Sequence, residues 1–248
     1  MSDSVARFDV RVEDYDRYRP SYPAAVIDTI LSGYDRPRIA DIGAGTGQST
    51  TLFAAHGIAP IAIEPNAGMR AALIARLPDV DARNGTAEHT GLDSACVDIV
   101  TMFQAFQWCD GELALAEFER IVRPGGRVAV IWNVPQRDDP FSRAYDELND
   151  RHGEAELMES LPARSGEGKM LLVSRRFRNG RRFEARNEQR LDREGFRGRI
   201  RSISYMPPPG PKLDAVLAEG DEIFERFAEG RTVIPLVYRT VAFIAERP

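Results

Sequence analysis

The sequence predicts an α/β protein built on a doubly wound, parallel sheet. Three observations favour this class: short apolar runs alternate five times with helical patterns, the first run enters its helix through a glycine-rich turn, and the second run ends in an acid. A strand, a helix and a second strand joined in this way form a parallel, right-handed unit in nearly all proteins. We therefore expect ligands to bind at the carboxyl edge of the sheet.

Length and composition favour one domain with appended segments. The chain has 248 residues and a net charge of −5, from 33 basic and 38 acidic residues, which argues against a surface matched to nucleic acid. Cys96 and Cys109 lack the spacing of a metal site or a disulfide framework, so no metal is expected. No apolar run resembles a signal peptide or a membrane helix, and we expect a soluble, cytoplasmic protein.

A glycine-rich turn follows the first predicted strand. Asp41 lies in that strand, Gly43, Gly45 and Gly47 come next at alternate positions, and a helical pattern begins at Gln48. The dinucleotide fingerprint needs a glycine where Gln48 stands, and Asp41 would repel a pyrophosphate. An acid can instead accept hydrogen bonds from an ammonium group. The turn therefore favours a ligand with a cationic amino-acid end over a dinucleotide, although a turn that binds nothing remains open.

The second predicted strand, residues 60–63, ends in Glu64, which lies 21 positions after Gly43. An acid at this place in a doubly wound sheet accepts hydrogen bonds from the two ribose hydroxyls. Asn66 is the natural N-cap of a helix that runs through Leu77. The alternative is that Glu64 is a solvated strand end.

Three more strands follow. Turn residues 85–88 come after the third strand, an amide and aromatic cluster at residues 104–108 follows the fourth, and Asp110 caps the helix that leads to the fifth. These strands are residues 80–83, 97–103 and 126–132.

Several segments lie outside the alternation of strands and helices, and the first of them has two interpretations. Residues 1–37 carry tyrosines among arginines and prolines, and form either a helix that packs by its tyrosines or a lid over the crevice. An amphipathic helix is predicted from Phe141 to Ala155. Residues 174–201 hold eleven arginines with interleaved acids and predict a solvated helical face, which would end near Gly195. A strand over 199–205, a helix from Leu213 and a last strand over 232–244 complete the chain.

Five stretches together resemble the class I S-adenosylmethionine-dependent methyltransferases over about residues 38–133: ADIGAGTGQS, IAIEPNAGM, NGTAEH, VDIVTMFQAFQWCD and RIVRPGGRVAVIWN. YDRYRPSYP and VYRTVAFI resemble the small-molecule subgroup that includes trans-aconitate methyltransferase. The resemblance implies one Rossmann-like domain over 1–248, with a seven-stranded sheet whose last strand is antiparallel. Its parts would be an N-terminal lid (1–37), a cofactor-binding core (38–133), a helical acceptor-binding insertion (134–198) and closing strands with a helix (199–248).

The resemblance also implies a cofactor, S-adenosylmethionine, and a set of residues that hold it. Asp41, Gly43, Ala44, Gly45 and Gly47 would hold the methionine end, and Glu64 would hold the ribose. Pro65, Asn66 and Met69 would border the adenosine, and Ala87 and Glu88 would form the turn that contacts the adenine. Gln104 and Phe106 would lie near the sulfonium.

Methyl transfer is an in-line displacement, so it depends mainly on how the acceptor is positioned. Gln107 stands where many relatives carry a histidine, so the most obvious imidazole base is missing, and Tyr18, Tyr22 and His152 are the other catalytic candidates. A lone histidine on an apolar helical stripe, such as His152, is more often a packing residue. Relatives also often carry an aspartate at the position of Thr86, which weakens the adenine assignment.

We therefore expect methyl transfer to a small organic acceptor, with nucleic acid and membrane disfavoured as partners and a homodimer compatible with the sequence. Three alternatives stay open: an NAD(P)-binding oxidoreductase, a non-catalytic protein that binds S-adenosylmethionine, and an RNA methyltransferase that uses the arginine-rich segment.

Overall fold

The computed structural model describes residues 12–154 and 168–248, and the strands in this part of the chain form one sheet. Its strand order is β3-β2-β1-β4-β5-β7-β6, and β7 runs antiparallel to both of its neighbours while the other pairs are parallel. The seven-stranded, Rossmann-like sheet with an antiparallel last strand is confirmed. The strands are β1 (Ile39–Ile42), β2 (Ile61–Ile63), β3 (Asp81–Arg83), β4 (Val97–Phe103), β5 (Val122–Pro135), β6 (Arg178–Leu191) and β7 (Ile234–Glu246).

Helices cover both faces of the sheet, and two of them begin directly after residues that the sequence predicts as N-caps. Asn66 Oδ1 accepts a hydrogen bond from Met69 N, and Asp110 Oδ1 accepts one from Leu113 N. None of the described helices is long and apolar enough to cross a bilayer. They are α1 (Val12–Tyr18), α2 (Ala24–Leu31), α3 (Gln48–Ala55), α4 (Ala67–Arg76), α5 (Gly111–Ile121), α6 (Pro140–His152), α7 (Gly168–Val173), α8 (Arg193–Arg201) and α9 (Pro211–Ala228). The predicted last residue of α6, Ala155, lies outside the described residues.

The central strands are apolar on both faces, as a sheet buried between two helical layers requires. Successive residues of β5 point to opposite sides: Val130 and Trp132 pack in the cluster that contains α5, whereas Ile131 packs in the cluster that contains α2. A separate cluster joins α6, α8 and α9, where the ring centroids of Phe141 and Phe196 lie 4.9 Å apart. This third cluster builds a helical cap beside the sheet, and the cap places α6 and α8 near the carboxyl edge.

The prediction of a helix in the arginine-rich segment is wrong for residues 178–191, which form β6. Exposed and partly buried residues alternate along this strand, and Phe183 and Ala185 pack against the sheet core. The charged residues hide this period of two, because arginine and glutamate fill most of the outward positions. Glu184 and Glu188 pair with neighbouring arginines on the same outer surface. β6 therefore lies within the range predicted as a helical insertion, after α6 and α7.

Two further predictions in this region are wrong. Gly195 does not end a helix but lies in the first turn of α8, where its N–H donates to the N-cap Asp192 Oδ1 over 2.7 Å. Residues 199–205 do not form a strand, since they contain the end of α8 and a following turn. Asp192 satisfies a free N–H group of the helix start, which explains why the chain turns into a helix directly after β6.

The N-terminal helix α1 lies between the glycine turn and α8. Gln48 Nε2 donates to Asp16 O (3.0 Å), and Gln189 Nε2 donates to Tyr18 O (2.8 Å). Arg201 of α8 forms an ion pair with Asp14 at 3.1 Å. Gly198 faces the ring of Tyr18, and a β-carbon at this position would collide with the ring. The absence of a side chain at residue 198 thus lets the two helices pack closely.

Gly198→Ala is expected to destabilise the protein, against the usual preference of helices for alanine. Alanine stabilises a helix interior by about 0.5–1 kcal/mol relative to glycine, whereas a clash of this kind costs about 1–3 kcal/mol. The measurement is urea unfolding of the variant and of the same change in a Tyr18→Ala background. There the ring is absent, and the substitution should become stabilising. A gain of stability in the wild-type background would contradict the packing of Tyr18 on α8.

Candidate active site

The glycine turn between β1 and α3 is held against the end of β2 by main-chain hydrogen bonds. Gly43 N and Ala44 N both donate to Ile63 O, over 2.8 and 3.1 Å. Gly43 has a φ of 65°, and a β-carbon there would lie 2.8 Å from Ala105 Cβ. Gly47, with a φ of 86°, is the N-cap of α3. Glycine is required at residue 43 for both conformation and space, so the turn can approach β4 closely.

Asp41 lies behind this turn and has no solvent exposure. Its Oδ2 accepts hydrogen bonds from Ser49 Oγ (2.7 Å) and Thr50 Oγ1 (2.8 Å), and its Oδ1 accepts one from Thr101 Oγ1 (3.0 Å). Burial raises the pKa of Asp41 to about 6, and the three hydroxyl bonds oppose this rise. The carboxylate therefore joins β1, α3 and β4 beneath the turn, which gives it a positioning role whatever its direct contact with a ligand.

Glu64 connects the turn to the helix that follows β2. Its Oε2 accepts from Gly45 N and its Oε1 accepts from Asn66 N, both over 2.8 Å. The side chain is 6% exposed, and burial raises its pKa while the two backbone bonds lower it. A carboxylate can accept about four hydrogen bonds. Glu64 thus keeps lone pairs for further donors such as ribose hydroxyls.

The residues predicted to border the adenosine lie around the same turn. A β-carbon on Gly45 would lie 3.7 Å from Tyr15 Cε1 and 3.9 Å from Met69 Sδ, so the turn faces α1 on one side and α4 on the other. Pro65 lies between the Glu64 and Asn66 that share a hydrogen bond. At the predicted adenine turn, Ala87 is buried in the core and Glu88 Oε1 accepts from Asp110 N over 2.9 Å.

The amide cluster after β4 is held in a strained conformation. Gln104 has a φ of 52°, which is uncommon for a residue with a side chain, and its N–H donates to Ile131 O over 2.8 Å. Its Oε1 accepts from Asn133 N (2.9 Å), which fixes the amide orientation and leaves Nε2 as a donor. Gln107 donates to Gln104 O (3.0 Å) and accepts from Trp132 Nε1 (3.0 Å). Two neighbouring strand ends are thereby fixed to each other.

Phe106, between these two amides, points into the core. Its ring centroid lies 6.4 Å from those of Phe118 and Trp132, and the side chain is 1% exposed. The structure therefore does not bring the ring of Phe106 to the crevice.

A polar cavity lies beside the cluster, between the sheet edge, α1 and the helical cap. Gln104 and Gln107 come from the sheet, Arg19 follows α1, and the helical cap supplies Tyr145 from α6 and Arg199 from α8. The complete lining is Tyr15, Arg19, Gln104, Gln107, Trp108, Trp132, Asn133, Pro135, Tyr145, Asn149, Arg199, Ser204 and Tyr205.

Of the predicted catalytic residues, the structure brings Gln107 to this cavity but not Tyr18, Tyr22 or His152. Tyr18 packs on α8, and Tyr22 lies with its ring 4.7 Å from that of Phe103. Burial raises the pKa of Tyr22, which makes its phenolate less accessible at neutral pH. His152 Nε2 lies 2.5 Å from Glu219 Oε2 of α9. Within residues 12–154 and 168–248, no cluster of three or more His, Cys, Asp and Glu side chains could hold a metal ion.

Only Gln104 and Gln107 of the cavity residues were predicted from the sequence as site residues, and four of those missed carry polar groups at the cavity. Tyr145 and Asn149 are four positions apart, and this helical spacing on the predicted α6 stripe was a usable signal. Arg19 and Arg199 gave none, because each is one arginine among many and their proximity arises from the fold.

Comparisons with known proteins agree with this geometry. Residues 40–130 match a family model described as "Methyltransferase domain". An uncharacterised methyltransferase of Mycobacterium tuberculosis is 39% identical over 152 residues, which are 61% of this chain and 62% of that protein. A demethylmenaquinone methyltransferase of Renibacterium salmoninarum is 32% identical over 127 residues, or 51% and 50% of the two chains. A structure from Anaeromyxobacter dehalogenans, proposed to be a type II methyltransferase, has a TM-score of 0.65 at 25% identity and covers 93% of this chain and 97% of that one.

The chain has a Rossmann-like fold, and its residues 40–130 match the methyltransferase domain, a family whose methyl donor is S-adenosylmethionine. The chain spans less than two thirds of the length of the Mycobacterium and Renibacterium relatives.

Asp41→Asn is expected to remove a pH dependence of stability. The pKa of Asp41 is about 6 in the folded protein and about 3.9 in an unfolded chain. The folded state therefore binds this proton more tightly, and the free energy of unfolding falls as the pH rises from about 4 to about 6, by on the order of 3 kcal/mol. Hydroxyl groups can donate to Asn and also accept from it, so the variant should fold.

The measurement is urea unfolding of both proteins across this pH range. The wild-type free energy minus that of Asp41→Asn should decrease with rising pH. Asp81→Asn is the matched control with the opposite sign, because the hydrogen bond from Arg83 lowers the pKa of Asp81. A difference between wild type and Asp41→Asn that stays constant with pH would contradict the raised pKa.

Proposed function

We propose that this protein transfers a methyl group from S-adenosylmethionine to a small organic acceptor by in-line displacement. The observation that carries the proposal is the glycine turn tied to the carboxylate of Glu64, directly beside a polar cavity. The small-molecule subgroup that the N-terminal and C-terminal motifs resemble is part of this proposal. The demethylmenaquinone methyltransferase relative, whose name specifies a small acceptor, supports it.

The residues present fit the methyl donor. Thr46 Oγ1, at the centre of the turn, is buried and has no hydrogen-bond partner in the structure, so a ligand atom could provide one. Gly45 presents no side chain between Tyr15 and Met69. The residues proposed to hold the donor are Asp41, Gly43, Ala44, Gly45, Gly47, Glu64, Pro65, Asn66, Met69, Ala87, Glu88 and Gln104, with Phe106 acting through the core. When bound, the donor supplies an electrophilic methyl group on a sulfonium.

This chain's residues contribute mainly by positioning and by excluding water. The carboxylates of Asp41 and Glu64 fix the turn, and Gln104 offers a donor at the cavity whose orientation is set by β5. No carboxylate or imidazole is among the described residues that line the cavity. The amides and guanidiniums there cannot accept a proton at neutral pH. We propose that the acceptor attacks with a lone pair that is already free, so that positioning replaces a general base.

The alternatives each lack a supporting observation. An NAD(P)-dependent oxidoreductase would place a pyrophosphate beside the buried acids Asp41 and Glu64. An RNA methyltransferase would use the arginines of β6, but Arg186 pairs with Glu188 at 2.7 Å and Arg182 pairs with Glu184. A non-catalytic scaffold would have a filled crevice, whereas a cavity adjoins Gln104.

S-adenosylhomocysteine is expected to raise the melting temperature, and NADH is not. A ligand at roughly 100 times its Kd stabilises the folded state by about 3 kcal/mol. Glu64→Gln should raise the Kd of S-adenosylhomocysteine roughly tenfold or more. The reason is that an amide N–H would replace one oxygen that faces Gly45 N or Asn66 N.

Isothermal titration calorimetry measures both ligands on both proteins, with Glu188→Gln on the outer surface of β6 as the matched control. The control should bind like the wild type. Stabilisation by NADH with no response to S-adenosylhomocysteine would overturn the proposed function in favour of an oxidoreductase.

A further inference from the structure

Two arginines at the cavity have neutral partners only. Arg199 is 5% exposed, and its Nε and Nη1 donate to Tyr238 Oη and Ser202 Oγ, each over 3.0 Å. Arg19 Nη2 donates to Ser202 O over 2.9 Å, and its buried Nε has no acceptor. In the described ranges, 12–154 and 168–248, neither guanidinium has a carboxylate within 4.0 Å, and Arg199 Nη2 donates no hydrogen bond. Two positive charges thus meet at Ser202 without a counter-ion.

The arginines on either side of Arg199 in sequence behave differently. Arg197 pairs with Asp221 at 2.7 Å, and Arg201 pairs with Glu194 at 2.8 Å. Ion pairing is therefore available on α8, and the residue without it is the one that lines the cavity. Burial, and then the charge of Arg199, lower the pKa of Arg19. An unpaired charge away from water is costly, and an anionic ligand would relieve this cost.

Neutral polar groups at the same cavity also lack partners. Tyr145 and Asn149 are each 1% exposed, and Tyr145 Oη and Asn149 Oδ1 make no hydrogen bond. They lie one turn apart on α6, and the guanidinium of Arg199 lies 5.4 Å from the ring centroid of Tyr145. A buried hydroxyl without a partner is rare in folded proteins. The phenol can donate to an anion held by Arg199, and the amide can turn to present its N–H group.

We propose that Arg199, Arg19 and Tyr145 form a subsite that binds a carboxylate group of the methyl acceptor; the acceptor assignment rests on the proposed function. A guanidinium presents parallel N–H donors that match a carboxylate, and a second guanidinium and a phenol complete the shell. All three residues, and Asn149, lie outside residues 40–130, the part that matches the methyltransferase-domain model. This placement is the reason that the subsite is proposed for the acceptor and not for the carboxylate of the donor's methionine end.

The experiment measures binding to the full chain by calorimetry and by melting temperature. The probes are simple carboxylates from acetate to benzoate, with the matching amides and phenyl phosphate, each tested with and without saturating S-adenosylhomocysteine. At least one carboxylate should bind and its amide should not. If every carboxylate fails in both conditions, or if amides bind equally well, the subsite is wrong. A preference for phenyl phosphate over every carboxylate would also overturn the assignment to a carboxylate.

Three variants locate the binding. Arg199→Met should abolish carboxylate binding, and Tyr145→Phe, which removes a hydroxyl without a partner, should keep the wild-type melting temperature and weaken that binding about tenfold. Arg197→Met on the solvent side of α8 is the matched control and should bind normally. If Arg199→Met does not fold, Tyr145→Phe still decides, because unchanged carboxylate affinity in that variant overturns the proposal.

Two further measurements are needed. The first distinguishes a carboxylate of the acceptor from the carboxylate of the donor, and the second distinguishes failure of the subsite from failure of the proposed function. S-adenosylhomocysteine and 5′-methylthioadenosine, which lacks the amino-acid end, are titrated into Arg199→Met. Equal affinities to wild type for both ligands support the acceptor subsite, whereas a loss for S-adenosylhomocysteine alone assigns Arg199 to the donor and overturns it. If the wild type binds carboxylates but not S-adenosylhomocysteine, the proposed function fails while the anion subsite stands.

Discussion

The hydrogen bonds from Gly45 N and Asn66 N to the carboxylate of Glu64 are the interaction on which the site depends. They join the turn after β1 to the helix after β2, at the edge where both strands end. Beneath them, Asp41 accepts three hydroxyl bonds from residues of α3 and β4. Carboxylates are acceptors only, and here both oxygens of each carboxylate accept a hydrogen bond from a neutral donor. The turn is therefore shaped by the protein itself and does not need a ligand to adopt its form.

Between this turn and the cavity, several glutamine side chains each form hydrogen bonds that join two secondary-structure elements. Gln104 adopts a positive φ, and both its backbone and its side chain form hydrogen bonds with β5. Gln48 fixes α1 to the start of α3, and Gln189 fixes it to β6. Such bonds hold the wall formed by α1 and the helical cap against the sheet edge. The cavity thus exists only when segments distant in the chain are assembled.

The sequence could predict what local pattern determines. Asn66 and Asp110 were identifiable as caps because the cap and the N–H it accepts lie within one turn. β6 was not identifiable, since its outward positions are charged and its pairing with β7 is fixed by residues more than forty positions away. The glycine turn and Glu64 were predicted from their spacing. Arg19, Tyr145 and Arg199 were not, because their shared property, a missing counter-ion or partner, appears only in the folded chain.

Negatively and positively charged side chains lie in two different parts of the site. The acids Asp41 and Glu64 lie at the glycine turn, while the unpaired guanidiniums of Arg19 and Arg199 lie where α1 and the helical cap meet. In a low-dielectric interior, each of these groups of charges attracts a ligand of opposite charge more strongly than it would in water. Under the proposed function, the acids favour a cationic donor near the turn and the arginines favour an anionic acceptor near the helical cap. In that proposal, this separation of charge orients the acceptor toward the donor with no requirement for a titrating side chain between them.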